Sequence, residues 1–364
     1  MSIPMRDRFR GCLLGGAVGD ALGAPVEFMD HAEIVCRFGK GGIRDYVQAY
    51  GRLGAITDDT QMTLFTAEGL LRAHVRGCMR GLTTHSGVTD HAYLRWLETQ
   101  GMRAPIEIGR DGWLWKQEDL HCRRAPGNTC LSALKAKKDF GQPARNDSKG
   151  CGGVMRVAPA GLFAWHYRDR NGVAGDAFKL AAELAGLTHG HPSGQWPAGV
   201  LALLVMRAIE GLPLREALAE AKRILQTKDR HQETLNALLI AEVLAASGTE
   251  PSAADVEKLG GGWVAEEALA ISVYCALVAQ DFEHGVVLAV NHGGDSDSTG
   301  AITGNLLGAM LGVAAIPDRW LNGVELREVV ETLADDLHDF PSWNIGEYVE
   351  GGDNDRIWER YPGW

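Results

Sequence analysis

The sequence predicts an all-α fold, and three observations support that class. Long stretches rich in alanine and leucine carry apolar residues at three- and four-residue spacing, the period of a helix with one buried face. Stretches that alternate polar and apolar residues like strands are few and short. No low-complexity linker divides the chain, so we expect one compact domain over residues 1–364. The predicted helices cover approximately residues 60–75, 174–188, 194–210, 213–225, 231–247, 263–280 and 297–315.

Composition restricts the partners and the compartment. The chain is 45% hydrophobic, enough for a large core, and its net charge of -11 argues against nucleic acid or an anionic membrane as main partner. Seven scattered cysteines without a C-x-x-C pair indicate a reduced, cytoplasmic protein with neither a disulfide framework nor a zinc site. The N-terminus becomes charged too early for a signal peptide. The longest apolar run, residues 301–316, is interrupted by glycines and is short for a membrane span.

Glycine recurs every four residues in two places, near the N-terminus and in the last predicted helix. On a helix, each set forms a stripe without side chains, at a cost of up to about 1 kcal/mol per glycine relative to alanine. Close backbone approach of two central helices would offset this cost, although ordinary core packing explains the stripes equally well. The two sets are Gly11, Gly15, Gly19 and Gly23, and Gly300, Gly304, Gly308 and Gly312.

Two acids accompany the first glycine stripe, in the motif GDALGAPVEF. Asp20 lies inside the predicted helix, and Glu27 follows its end. A surface position is the usual fate of a glutamate. Beside a metal site, Glu27 could instead position water or move a proton.

Two acidic stretches stand at predicted helix starts, TDDT at residues 57–60 and GGDSDST at residues 293–299. Helix capping explains each stretch when it is taken alone. The second also begins like an EF-hand loop, but Leu306 stands where the bidentate glutamate is required. Together the stretches supply hard oxygen ligands and no soft ones, which suits Mg²⁺ or Mn²⁺. Two divalent ions would offset the repulsion of four buried carboxylates and could activate a shared water.

Two further motifs lie between the acidic stretches. SKGCGGVMR, at residues 148–156, has consecutive glycines that let backbone N–H groups approach a phosphate, with Lys149 or Arg156 as a source of charge. A plain turn before a helix explains it as well. LTHGHP contains His189 and His191, whose spacing in a Gly/Pro loop suits polar loop structure or a ligand contact better than a metal site.

The motifs GDALGAPVEF, TDDTQMT, SKGCGGVMRVAP, LTHGHP and GGDSDSTG, in this order over residues 19–300, resemble those of the ADP-ribosylglycohydrolases. That family includes the activating glycohydrolase of dinitrogenase reductase, ADP-ribosylarginine hydrolases, and bacterial immunity proteins against ADP-ribosylating toxins. The resemblance implies a compact all-α fold with two Mg²⁺ or Mn²⁺ ions in a central cleft. It also implies hydrolysis of the N-glycosidic bond between ADP-ribose and a protein arginine.

The resemblance also implies roles for individual residues. The metal ligands would be Thr57, Asp58, Asp59, Asp295, Asp297 and Ser298. The residues that bind the substrate would be Ser148, Gly150, Cys151, Gly152 and His189. The catalytic residues would be Glu27, Asp58 and Asp297. Asp297 suits a bridging ligand, so its loss is expected to be the most damaging.

Two alternatives to arginine hydrolysis stay open. Ser298 with Cys151 resembles the arginine-directed and immunity branch more than the serine-linked hydrolases, but another ADP-ribose linkage remains possible. The chain could also be an immunity protein that binds an ADP-ribosyltransferase toxin, through residues 29–53 or the tail at residues 358–364, as well as or instead of reversing its modification. The expected partners are an ADP-ribosylated protein, ADP-ribose and such a toxin.

Overall fold

The computed structural model describes residues 3–169 and 175–363 and confirms the all-α class. Seventeen α-helices occupy this part of the chain, and its only extended pairings are two isolated bridges. The helices are α1 (Met5–Gly23), α2 (His31–Phe38), α3 (Asp58–Arg80), α4 (His85–Thr99), α5 (Asn128–Lys135), α6 (Ala158–Trp165), α7 (Ala177–Gly186), α8 (Trp196–Glu210), α9 (Leu214–Leu225), α10 (Gln232–Ala245), α11 (Ala253–Glu257), α12 (Ala265–Val278), α13 (Phe282–Val290), α14 (Ser296–Leu311), α15 (Asp318–Leu321), α16 (Arg327–Asp339) and α17 (Gly352–Arg360).

Each of the seven predicted helices is present, as α3, α7, α8, α9, α10, α12 and α14. Residue 174, at the start of one prediction, and Trp364, at the end of the tail, lie outside the described residues. The sequence patterns missed α4 because polar residues such as Thr89, Asp90 and Arg95 are among its buried positions, so the apolar spacing is weak. Among the described residues, no helix has both the length and the apolar character that a bilayer crossing requires.

Helices α1 and α14 form the centre of the fold and lie antiparallel with their glycine stripes facing each other. A Cβ atom on Gly304 would stand 2.0 Å from the carbonyl oxygen of Gly15, and one on Gly19 would stand 2.0 Å from that of Gly300. These distances are far shorter than van der Waals contact, so the stripes serve close backbone approach and not merely packing of small residues. The prediction of two central, glycine-striped helices is confirmed.

The antiparallel pair decides where the acidic motifs lie. The start of α14 is beside the end of α1, since a Cβ atom on Gly23 would be 2.3 Å from the carbonyl oxygen of Ser296. Helix α3 packs on both α1 and α14, while α8, α12, α13 and α16 cover the pair from other sides. A cluster of buried side chains runs from Phe9 to Tyr361, in line with the single-domain prediction, which stays a prediction.

Candidate functional site

A cleft of about 350 Å³ lies where the starts of α3 and α14 meet the loop that follows α1. It brings together most of the residues that the sequence singled out. Ten of them line it: Glu27, Asp58, Asp59, Gly150, Cys151, Gly152, His189, Asp295, Asp297 and Ser298. Of the twelve residues to which the resemblance gives a role, only Thr57 and Ser148 do not line it.

The start of α3 is held by an aspartate of α1. Thr57 caps α3 as predicted, because its hydroxyl accepts the N–H of Asp59 at 3.3 Å. The buried carboxylate of Asp20 accepts the backbone N–H of Thr57 at 3.0 Å and that of Thr60 at 3.1 Å, together with both threonine hydroxyls. Asp20 therefore caps α3 from a neighbouring helix. The hydroxyl of Thr57 is engaged with Asp20, and its role as a metal ligand stays a prediction.

The sequence analysis placed Asp20 in a helix but assigned it no function. The available signal was a charged residue within a stretch of α1 that is otherwise small or apolar and wholly buried. A buried charge requires partners. Its partners lie 37 and 40 residues away, so no local pattern could identify them.

The two aspartates of the first motif point into the cleft. Asp58 accepts the backbone N–H of Gly127 at 3.1 Å through Oδ2. Asp59 keeps its Oδ1 atom buried without a hydrogen-bond partner. A buried oxygen without a donor is costly unless a ligand satisfies it.

The second motif starts α14, but helix capping does not account for its acids. Asp295 occupies the N-cap position, yet its side chain makes no cap hydrogen bond. Its Oδ2 atom instead accepts the thiol of Cys151 at 2.8 Å. Asp297 accepts the N–H of Ser298 at 2.9 Å through Oδ1. The helix start thus directs both carboxylates into the cleft.

Without cations, burial and mutual repulsion disfavour the ionised forms of these acids. Glu27, Asp295 and Asp297 each offer one oxygen within 4.8 Å of the others. Burial, and then the charge of Asp297, raises the pKa of Glu27 to about 10 and that of Asp20 to about 7. Burial also raises the pKa of each of the four aspartates in the two motifs.

The residues of the cleft fit divalent cations. Within the described part of the chain, no lysine or arginine lines it, so the five carboxylates have no fixed counter-charge there. The buried Oδ1 of Asp59 and Oε2 of Glu27 lack donors. Hard oxygen donors in this number are the ligands that Mg²⁺ and Mn²⁺ prefer.

His189 closes the opposite wall of the cleft. Its Nδ1 lies 2.9 Å from the hydroxyl of Thr188, which also accepts a hydrogen bond from Arg156 at 2.7 Å. Burial, followed by the charge of Arg156, lowers the pKa of His189 to about 3, so the imidazole is neutral. A Cβ atom on Gly152 would lie 2.7 Å from the sulfur of Cys130 and 3.3 Å from the His189 ring. This glycine therefore allows the turn to pack against the histidine.

Neither basic residue of the glycine turn is available to a phosphate, contrary to the expectation from the sequence. The ammonium of Lys149 is paired with Glu266 at 2.6 Å and with Glu233 at 3.2 Å. The guanidinium of Arg156 is buried and donates to the carbonyl of Leu184 at 3.2 Å. The turn itself is present and precedes α6, as predicted.

Two polar residues of the motifs bond to neighbouring loop residues and do not line the cleft. Ser148 hydrogen bonds at 3.0 Å to Thr129, whose side of the cleft it supports. His191 accepts the N–H of Ser193 at 3.0 Å and faces Arg230 at 2.6 Å, outside the cleft. The interpretation of the H-x-H spacing as loop structure rather than a metal site agrees with this placement.

The sequence analysis missed two parts of the cleft. The start of α5, residues 126–130, lines it, and no side chain caps that helix. Phe28 and Trp263 stand at the mouth with 73% and 46% exposure, their rings 5.9 Å apart and nearly parallel. Phe28 follows Glu27 directly and could have been noticed, whereas nothing in the sequence connects Trp263 with it.

The two segments proposed to bind a toxin differ in their exposure to solvent. The tail is part of the chain's own core, because Tyr361 and Ile357 are buried and the Tyr361 hydroxyl donates to Asp336 at 2.5 Å. In the segment at residues 29–53, Tyr50 and Leu53 remain exposed.

Residues 1–344 match the family model described as ADP-ribosylglycohydrolase. The ADP-ribosyl-[dinitrogen reductase] glycohydrolase of Rhodospirillum rubrum is 28% identical, over 89% of this chain and 92% of its own length. An ADP-ribosylarginine hydrolase of Pseudomonas putida is 24% identical, over 92% of this chain and 78% of its own. A solved structure titled ADP-ribosylglycohydrolase-related protein complex is 30% identical, with a TM-score of 0.62 over 92% of this chain and 98% of that chain.

Proposed function

This chain belongs to the ADP-ribosylglycohydrolase family, and we propose that it is a metal-dependent hydrolase that removes ADP-ribose from modified arginines of proteins. The observation that carries the proposal is the convergence of five carboxylates in one cleft that no lysine or arginine lines, among the residues described. They come from three separate segments: the loop after α1, the start of α3 and the start of α14.

Two Mg²⁺ or Mn²⁺ ions would be held by the aspartates of the two helix starts. Bound there, such ions supply Lewis-acid stabilisation and a nucleophilic water at neutral pH. The proposed ligands are Asp58, Asp59, Asp295 and Asp297, with the hydroxyls of Thr57 and Ser298 as further candidates.

Glu27 is the proposed proton donor. Its carboxyl lines the cleft, with an oxygen within 4.8 Å of oxygens of Asp295 and Asp297. Its buried Oε2 has no competing hydrogen-bond partner. Placed at the scissile bond, it can pass a proton to the leaving guanidinium nitrogen as the bond to the anomeric carbon breaks. The products are ADP-ribose and an unmodified arginine.

Substrate binding relies on backbone groups because no lysine or arginine of residues 3–169 and 175–363 lines the cleft. The uncapped start of α5 and the turn at residues 150–153 line the same cleft and offer N–H groups to the diphosphate. The neutral His189 beside them can hydrogen bond to the ribose. The arginine linkage is proposed because Ser298 together with Cys151 resembles the arginine-directed branch of the family. The name of the Pseudomonas putida relative points to the same linkage.

The test is release of ADP-ribose from arginine-, serine- and nucleotide-linked substrates with Mg²⁺ or Mn²⁺. We expect turnover of the arginine substrate, abolished by EDTA and by Asp297→Ala. Asp281→Ala is the matched control, since Asp281 caps α13 and lies outside the cleft. Metal-independent release, or full activity of Asp297→Ala, would contradict the mechanism. Release from another linkage alone would overturn the arginine assignment.

The immunity alternative is separated with the same variant. If the Asp297→Ala protein still protects cells from an ADP-ribosyltransferase toxin, protection comes from binding and not from hydrolysis.

A further inference from the structure

A buried carboxylate outside every motif lies behind the cleft. Glu325 precedes α16, and its side chain is 1% exposed. It accepts hydrogen bonds from Arg52 at 2.7 Å and from both terminal nitrogens of Arg124, at 3.2 and 3.3 Å. It also accepts the backbone N–H of Ile56 at 3.0 Å, directly before the cap of α3. We propose that Glu325 and Arg124 are positioning residues that fix the carboxylate of Asp58 for cation binding, an inference that rests on the proposed function.

The link from this pair to Asp58 is continuous. Arg124 donates from Nη1 to the carbonyl of Ile56 at 3.3 Å, so the pair holds both backbone groups of that residue. The carbonyl of Arg124 accepts the N–H of Asp58 at 3.1 Å. Three residues later, Gly127 donates its N–H to Oδ2 of Asp58. The segment that Glu325 anchors through Arg124 therefore grips the proposed ligand at its backbone and at its carboxylate.

This arrangement matters because the position of Asp58 has two independent supports. Asp20 holds the first turn of α3 from the side of α1, through Thr57 and Thr60. Glu325 and Arg124, which are 269 and 68 residues from Ile56 in the chain, hold it independently of Asp20. Hydrogen-bond partners that orient metal ligands typically contribute 10–100-fold to metal affinity.

A merely structural ion pair is the competing explanation, and the chain contains a matched example. Glu68 on α3 is fully buried and pairs with Arg72 at 3.0 Å and Arg95 at 2.9 Å. It has the same chemistry as Glu325, one carboxylate between two guanidinium groups. It lies ten residues beyond Asp58, about 15 Å along the helix, and does not line the cleft.

The experiment compares Glu325→Gln with Glu68→Gln. Each full-length variant is stripped of metal and titrated with Mn²⁺, and free Mn²⁺ is followed by electron paramagnetic resonance. We expect Glu325→Gln to weaken Mn²⁺ binding by about tenfold or more, and Glu68→Gln to stay within twofold of wild type. Equal affinities of wild type and Glu325→Gln would overturn the inference, as would equal weakening by both substitutions.

Two measurements keep the outcome clear. If Glu325→Gln does not fold, Arg124→Lys takes its place, because lysine keeps the charge but cannot bond to Glu325 and the Ile56 carbonyl with one fork of donors. Unchanged Mn²⁺ affinity in Arg124→Lys would then overturn the inference. If wild type binds Mn²⁺ and Glu325→Gln binds it equally well, the inference is refuted and the proposed function stands. A wild-type protein that binds no divalent ion refutes the proposed function together with it.

Discussion

Replacing Gly304 by alanine tests the packing on which the site depends. The added Cβ would stand 2.0 Å from the carbonyl oxygen of Gly15, whereas ordinary contact begins at 3.4 Å. The Cβ is fixed to the backbone of α14, and the oxygen that it meets belongs to the backbone of α1. The clash is therefore relieved only if the two helices separate by about 1.4 Å at this point or distort. Overpacking of this kind costs about 1–3 kcal/mol or more. Replacing a glycine by alanine within a helix stabilises the helix by up to about 1 kcal/mol, which offsets part of this cost.

The matched control is Gly77→Ala in α3, where the new Cβ meets no atom closer than 3.4 Å. We expect Gly77→Ala to be neutral or stabilising by up to about 1 kcal/mol. Gly304→Ala should therefore be about 2 kcal/mol or more less stable than Gly77→Ala. Equilibrium urea unfolding measures the difference, with far-UV circular dichroism to show that the helices persist. Equal stability of the two variants would refute the close-approach argument.

The remaining predictions concern the cleft. In EDTA, the folded protein keeps a proton on Glu27 that the unfolded chain releases, since burial raises the pKa of Glu27 to about 10. Stability should therefore fall as pH rises from about 6 to 8. Glu27 contributes up to about 1.4 kcal/mol per pH unit to this slope, and Glu27→Gln should lose that contribution, while the buried aspartates keep theirs. Trp263→Ala should raise KM for an ADP-ribosylated substrate about tenfold, with a smaller change in kcat. The control is Tyr348→Ala, which removes an exposed ring outside the cleft and should change neither KM nor kcat. Cys151→Ala removes the hydrogen bond from the thiol to Asp295 and should change the Mn²⁺ affinity measured by calorimetric titration. Cys151→Ser should stay closer to wild type. Identical Mn²⁺ affinities of wild type and Cys151→Ala would contradict a role for the thiol.

Local patterns predicted the elements that local interactions produce. Apolar spacing located α9, where Leu214, Ala217, Leu218, Ala221 and Leu225 are buried, because one buried face imposes the helical period on the sequence. Thr57 was recognisable as a helix cap, since a cap bonds to the turn beside it. The two glycine stripes predicted two central helices, but ordinary core packing explained them as well as close backbone approach did. The structure decides for close approach, because the two backbones touch.

Charge was harder to interpret from sequence. Lys149 looked available to a phosphate, but Glu266, 117 residues later, neutralises it. Asp295 looked like a helix cap, yet its carboxylate turns to Cys151, 144 residues earlier. In both cases the partner is distant in the chain, so the motif alone could not reveal what the side chain bonds to.

By itself, the sequence determined the all-α class, the central glycine-striped helices and the acidic motifs, because helical period, capping and residue chemistry are local properties. Only the tertiary structure decided that Asp20 caps α3, that Glu325 and Arg124 anchor it, and that Phe28 meets Trp263 at the cleft. These contacts join residues from about 40 to more than 200 positions apart. They form when elements that are distant in the chain pack together, and no periodicity in the sequence records that packing.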